Sequence, residues 1–171
     1  MDDPIGIRAL PARSVLRLLS WSSQRESRAT PVMLAGRALP AQVGMTLQGD
    51  VAFLCIAPAE WLIVSSALDA RQLQDELEAD LTSQHLVLAD LSDGLASFEV
   101  VGPQAREILA DSCCLDFGPA NFPPGRCART RLAQIPVVVT AIDAAPRFEL
   151  TVARSYAGYL RAYLKDIAAR S

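Results

Sequence analysis

Beyond Gly49 the apolar positions of the chain fall at regular spacings, and those spacings predict a succession of strands and helices. Val51 to Ile56 and Leu62 to Ser66 read as strands separated by a Pro58-Ala59-Glu60-Trp61 turn. Asp69 is placed to cap a helix with Gln72 reaching back to it, and Leu73, Leu77 and Leu81 recur every fourth residue, which gives that helix one buried stripe. His85 to Ala89 follows as a run apolar enough for the centre of a sheet.

The most punctuated stretch runs from Ala89 to Ala133. Asp90, Ser92, Asp93 and Gly94 favour side-chain-to-backbone hydrogen bonds and positive dihedrals, so they predict a tight turn into the alternating strand Ser97 to Val101, in a hairpin or near-hairpin. Gly102 and Pro103 start a helix, because proline pre-sets the first helical dihedral and loses nothing by lacking an N–H there. Its apolar face is Ala105, Ile108, Leu109 and Ser112. Phe122, Pro123, Pro124 and Gly125 form a stiff turn, since the double proline forbids continued helix and sends the chain into extended structure.

Strands are then predicted over Cys127 to Ala133, Ile135 to Ile142 and Phe148 to Val152, with Asp143 to Pro146 as a hairpin turn. Phe148, Leu150 and Val152 alternate with Glu149, Thr151 and Ala153, so the last strand is expected to have one face in and one out. Ser155 is expected to cap a C-terminal helix whose apolar set is Tyr156, Tyr159, Leu160, Tyr163, Leu164 and Ile167. Two halves of sheet, each crossed by a helix, make an α+β domain: two ferredoxin-like layers, or one split sheet with helices on one side.

The first 49 residues are less regular. Ser14 to Trp21 fits a short helix with Val15, Leu18 and Leu19 on one side, and Pro31 to Leu39 can supply a strand. Pro4, Pro11 and the polar run Ser22 to Thr30 suggest an arm, either loosely ordered alone or ordered on a partner. The expected organisation is therefore an arm and first strand over 1–49, followed by an α+β domain over 50–171.

Composition narrows the function classes. The apolar fraction of 51% is high and fits either an unusually complete core or surface reserved for a partner. Net charge is only −3 and the bases are scattered arginines with a single lysine, Lys165, so no basic stripe exists to neutralise phosphates. The longest apolar region, Val51 to Leu68, is broken by Pro58 and Glu60, and the N-terminus opens with Asp2 and Asp3; a cytoplasmic protein is expected.

A catalytic reading needs a nucleophile with a base, a carboxylate pair or a metal cluster. Cys113 and Cys114 are adjacent, which does not match the spacing of a zinc knuckle, and the single histidine, His85, stands far from Cys55 and Cys127 as well. Asp90 and Asp93 are close enough to hold a pterin or to act as acid and base, but Asp and Ser before Gly are also common turn-makers. The nine glycines never cluster into a phosphate loop. No catalytic, cofactor-binding or metal-ligating residue is assigned. The three tyrosines of the last helix, Tyr156, Tyr159 and Tyr163, suit either closure of the core or a partner contact, because tyrosine tolerates a half-wet position. Trp21 and Phe122 join them as expected partner contacts on grounds of exposure.

The sequence resembles the gamma-subunit family of heterotetrameric sarcosine oxidases. The resemblance is carried by Asp90-Leu91-Ser92-Asp93-Gly94, Gly102-Pro103-Gln104-Ala105-Arg106-Glu107, Cys114-Leu115-Asp116, Phe122-Pro123-Pro124-Gly125, Cys127-Ala128, Thr130, Arg154-Ser155 and Tyr159-Leu160. It covers roughly Leu34 to Ile167. The same core is similar to the folate-binding half of the glycine-cleavage T-protein superfamily, which implies a T-protein-like fold with ferredoxin-like βαβ layers. In that superfamily the strand after the Pro-Gly turn leads to a glycine-rich turn and paired aspartates; here Arg131 to Val139 is an apolar strand instead. The resemblance thus implies a non-catalytic gamma subunit with alpha, beta and delta subunits as partners. Those partners are expected to carry FAD, FMN, NAD and tetrahydrofolate and to demethylate sarcosine oxidatively. A stand-alone folate-binding module, or the gamma-type subunit of a related N-methyl amino acid dehydrogenase, are the alternatives.

Overall fold

A computed structural model of the chain describes residues 6–21 and 32–170. The fold comprises two compact units: a C-terminal unit made from the segment ending at Pro11 together with the chain from Gly94 onward, and an N-terminal unit, Ala12–Asp93. The expected break at Gly49 falls inside the N-terminal unit. The polar run Ser22 to Thr30 lies outside the described residues.

The N-terminal unit holds strands β2 (Ser14–Ser20), β3 (Met33–Leu34), β4 (Arg37–Ala38), β5 (Thr46–Leu47), β6 (Val51–Ala57), β7 (Glu60–Ser65) and β8 (Leu86–Asp90), with helix α1 (Ala70–Ser83) between the last two. Its sheet has the order β5-β6-β7-β2-β8, with every neighbour antiparallel. Because β2 lies between β7 and β8, those two run in the same direction and α1 joins them as a split βαβ unit. Asp69 and Gln72 form the predicted capping box: Asp69 Oδ1 accepts from the Gln72 N–H at 2.8 Å and Gln72 returns to the Asp69 N–H at 3.1 Å. Leu73 and Leu77 bury the stripe of α1 against Leu16, Leu18, Phe53 and Ile63.

Three expectations for this unit are corrected. Ser14 to Trp21 is not a helix; Ser14–Ser20 is a strand near the middle of the sheet, with Leu16 and Leu18 in the core under α1 and Val15 buried on the opposite face. A strand covered on both faces is apolar on both, which removes the alternation that would have distinguished it from a helix. The run His85 to Ala89 is not central either. His85 is an exposed residue at φ 55°, just past the end of α1, and β8 is an edge strand paired only with β2, with Val87 exposed. The strand expected before Pro40 is a small hairpin, turned by Ala35 and Gly36 at φ 49° and 72°. Positive dihedrals at both central residues are what a two-residue hairpin turn requires.

The C-terminal unit holds β1 (Gly6–Ala9), β9 (Leu95–Val101), α2 (Ala105–Ser112), β10 (Cys127–Leu132), β11 (Ile135–Asp143), β12 (Arg147–Ala153) and α3 (Ala157–Ala168). Its antiparallel sheet has the order β1-β9-β12-β11-β10. Phe98, Val100, Val139 and Leu150 on the sheet pack with Ile108 and Leu109 of α2 and Leu160 and Leu164 of α3. Burying each such side chain contributes about 1.5–3 kcal/mol.

The tight turn after β8 forms as predicted: Asp90 Oδ1 accepts from the Ser92 N–H at 2.8 Å and from its hydroxyl at 2.6 Å. It does not close a hairpin, because β8 pairs with β2 while β9 pairs with β1 and β12. Local side-chain chemistry makes the turn; the partner of each strand is set by the sheet it joins. Ser155 does not cap the last helix. A 3₁₀ turn, Arg154–Tyr156, leads directly into α3, so no extended residue stands where a side-chain cap would act. The α+β class holds, in antiparallel sheets crossed by helices. No helix among the described residues is long and apolar enough to cross a membrane.

Candidate functional site

Several of the titratable groups among the described residues hold the local structure together. Among the described residues no three His, Cys, Asp or Glu side chains gather to hold a metal ion. Cys55 and Cys127 are buried thiols, Cys113 is half-buried and Cys114 exposed. Burial pushes the Cys55 thiol up, away from the reactive thiolate. Cys113 Sγ accepts from the Leu115 N–H and lies 3.4 Å from the Thr130 hydroxyl. Asp90 is occupied by its turn, and the Ser92 hydroxyl that it orients accepts from the Val15 N–H at 3.0 Å. Asp116 has its carboxyl held below the usual range, first by the Gly118 N–H at 2.7 Å and then by the Asn121 amide. It closes its own loop.

One exposed aromatic face lies on α3. Leu160 and Leu164 anchor the helix in the core; Tyr159 on it is 51% exposed and Tyr163 half-buried, and Tyr156, the last residue of the 3₁₀ turn before it, is 42% exposed. Tyr159 and Tyr163 are one turn apart and their rings stack, with centroids 6.1 Å apart and planes at 21°. The Tyr159 hydroxyl donates to the Ala133 carbonyl at 3.3 Å. Ala133 and Gln134 form the two-residue turn between β10 and β11 at φ 49° and 71°, and the Ala133 N–H donates to the Ser112 carbonyl at 3.0 Å. Arg131 completes the turn by donating Nη2 to the Gln134 carbonyl at 2.9 Å. The β10–β11 turn is thereby docked on α2 and α3, and Tyr159, stacked on Tyr163, is held in a fixed orientation.

Of the residues expected at a partner surface, the structure brings Tyr159 and Tyr163 into ring contact, with Tyr156 in the 3₁₀ turn just before α3. Trp21 belongs to the N-terminal unit and is 82% exposed just past the end of β2, with its N–H donated to the His85 carbonyl. Phe122, expected at the surface, is 2% exposed. It packs edge-on to Phe117 at 5.5 Å and stacks with Phe148 at 6.3 Å. Arg106 secures the turn by donating to the carbonyls of Phe117 and Phe122, with its guanidinium 5.1 Å from the Phe148 ring centre.

Sequence reasoning also missed a buried carboxylate. Polar residues on the outer face of this sheet are withdrawn from water against the expected alternation: Glu99 of β9 is 7% exposed, and Thr140 of β11 and Thr151 of β12 are buried on the same face. Glu99 takes the Arg8 Nε at 2.6 Å, and Arg147 lies 3.6 Å from its other oxygen while also pairing with Asp143 at 2.9 Å. The signal was present as three charged residues at facing register positions, Arg8 opposite Glu99 and Glu99 opposite Glu149, but only the pairing reveals it.

A family model described as the sarcosine oxidase, gamma subunit family, matches residues 27–170. The chain belongs to that family. The gamma-subunit match takes in the whole of α3 with its tyrosines, whereas Trp21 precedes it. Sarcosine oxidase subunit gamma of Corynebacterium sp. (strain U-96) is 33% identical over 135 residues, covering 72% of this chain and 64% of that protein. The Arthrobacter sp. protein of the same name is 33% identical over 135 residues, covering 73% and 66%. The chain therefore spans slightly less than two thirds of the length of these relatives. Among solved structures, a chain of the heterotetrameric sarcosine oxidase from Corynebacterium sp. U-96, in complex with pyrrole 2-carboxylate, superposes with a TM-score of 0.81 at 25% identity, over 97% of this chain and 84% of that one. The glycine cleavage system aminomethyltransferase T from Bartonella henselae superposes with a TM-score of 0.66 at 15% identity, over 94% of this chain and 45% of that one. The second likeness is one of fold, and it agrees with the T-protein-like architecture.

Proposed function

We propose that this chain is the gamma subunit of a heterotetrameric sarcosine oxidase, and that it supports assembly of the complex without supplying catalytic groups. The observation that carries the reading is the family match over residues 27–170, joined to a likeness of fold over 97% of the chain to a sarcosine oxidase structure. On this reading the partners are the alpha, beta and delta subunits of a cytoplasmic complex that converts sarcosine to glycine with hydrogen peroxide formation and folate-linked one-carbon transfer. FAD, FMN, NAD and tetrahydrofolate belong to those partners.

The residues of this chain do not fit folate chemistry. Where the T-protein superfamily carries paired aspartates, β11 has Val137 and Val138, both buried. A carboxylate cannot be supplied from either, so no step is routed through folate here. What the chain offers is exposed and half-exposed aromatic surface: Tyr159 and Tyr163 on α3, Tyr156 in the turn before it, and Trp21 on the other unit. A permanent interface built on such anchors is expected to bury more than roughly 2,000 Å² in total.

The test is to express the partner subunits with and without this chain. The yield of holoenzyme should fall sharply in its absence, while turnover per assembled flavin stays the same. An unchanged yield contradicts the reading.

A further inference from the structure

A groove of about 270 Å³ opens in the N-terminal unit between α1, the β3–β4 hairpin and the start of β6. Its floor is hydrocarbon: Phe53, Leu73 and Leu77, all buried, with Val51 beside them. Its mouth is charged, with Asp50, Glu76 and Arg37 exposed around it. The hairpin wall is held in place by side chains of α1 and its end. Asp80 Oδ2 accepts from the Ala35 N–H at 2.8 Å, and the Gln84 amide pairs with both the N–H and the carbonyl of Met33. The groove is therefore preformed.

Its charge is unbalanced. Arg37 lies along the backbone of Gly49, where an added Cβ would come within 3.2 Å of its Nη1. Among the described residues no ion pair joins it to Asp50 or Glu76. The exposed side of α1 adds Asp75 and Glu78 against Arg71. Over residues 12–93 there are ten Asp and Glu against six Lys and Arg, a net charge of −4 on a chain of net charge −3. An apolar slot whose rim carries two carboxylates against the one guanidinium of Arg37 suits a side chain with a hydrocarbon stem and a cationic head.

We propose that this groove receives a lysine or arginine side chain of a partner subunit, its stem along Phe53, Leu73 and Leu77 and its head between Asp50 and Glu76. The inference rests on the subunit reading and adds to it a second contact, one of charge complementarity, apart from the aromatic face of α3. Charge-assisted hydrogen bonds to both carboxylates fix the head group, and the preformed wall limits the entropy lost on docking.

The test uses the complete complex. The double variant Asp50→Lys with Glu76→Lys reverses the rim, and Asp50→Asn with Glu76→Gln neutralises it without altering shape. Retention of the chain is read by native mass spectrometry at rising ionic strength, and the thermal midpoint of each isolated chain confirms that it folds. The reversed chain should leave the complex at lower salt, with retention weakened about tenfold or more, and the neutral chain should fall between. A wild-type complex that holds both variants to the same salt concentration as the native chain overturns the groove and leaves the subunit reading standing. A wild-type chain recovered in no complex overturns both.

Discussion

The N-terminal sheet buries hydrocarbon on both faces, whereas the C-terminal sheet buries hydrocarbon on one face and a hydrogen-bonded polar layer on the other. In the first, Leu16, Leu18, Phe53 and Ile63 meet α1 while Val15, Leu54, Leu62 and Val64 are buried on the far side. In the second, Phe98, Val100 and Leu150 meet the helices while Glu99, Thr140 and Thr151 are buried opposite. The N-terminal sheet buries polar side chains at one end only, Ser14 and Ser65, and elsewhere depends on shape and tolerates no void. A sheet with a polar layer depends on keeping every group in that layer partnered, because a buried donor or acceptor left alone costs the full price of its desolvation. Mutations should separate the two kinds of dependence.

The largest effect is expected from Leu18→Ala in β2, a fully buried side chain in the N-terminal core. It should cost about 2–5 kcal/mol of stability, measured by chemical denaturation. A loss below about 1 kcal/mol would mean that the sheet collapses around the gap and is not close-packed.

A smaller loss is expected from Glu99→Gln, which keeps the shape of the polar layer and removes its charge. Arg8 and Arg147 remain partly hydrated, with side chains 67% and 38% exposed, so the residual cations are not stranded. About 1–2 kcal/mol should be lost, and the loss should shrink in an Arg8→Met background if the pair acts as a unit. Equal losses in both backgrounds would break the claim that Glu99 works through Arg8.

The smallest effect on the isolated chain is expected from Tyr159→Ala, at or below about 1 kcal/mol, because only one neutral hydrogen bond and one ring stack are lost from a half-exposed position. The same variant should weaken assembly by about 1 kcal/mol or more if the ring is an anchor. Stability of the chain and retention in the complex are measured side by side; equal losses would return Tyr159 to the core.

The contrast between the sheets also explains what could be read from sequence. The strands Cys127 to Leu132, Ile135 to Asp143 and Arg147 to Ala153 were legible because the last of them alternates and hairpin turns separate them. The capping box of α1 was legible because Asp69, Gln72 and the leucine stripe act within one helix. The strand Ser14–Ser20 was not, since burial on both faces erased its period. His85 and Val87 were mistaken for sheet interior because composition alone does not tell a central strand from an edge. Phe122 looked exposed in a Pro-Pro turn; its partners Phe117 and Phe148 come from other parts of the chain, and only the fold brings them to it. The tyrosines of α3 were readable as one face from their spacing, but the docked Ala133–Gln134 turn that fixes Tyr159 carried no glycine to announce its positive dihedrals.

Whether this chain works as a subunit is tested by affinity purification of the tagged chain from its own host grown on sarcosine, with the eluate read for larger subunits and flavin absorbance. A yellow complex of defined stoichiometry that oxidises sarcosine is the predicted result; a colourless, solitary chain would contradict it.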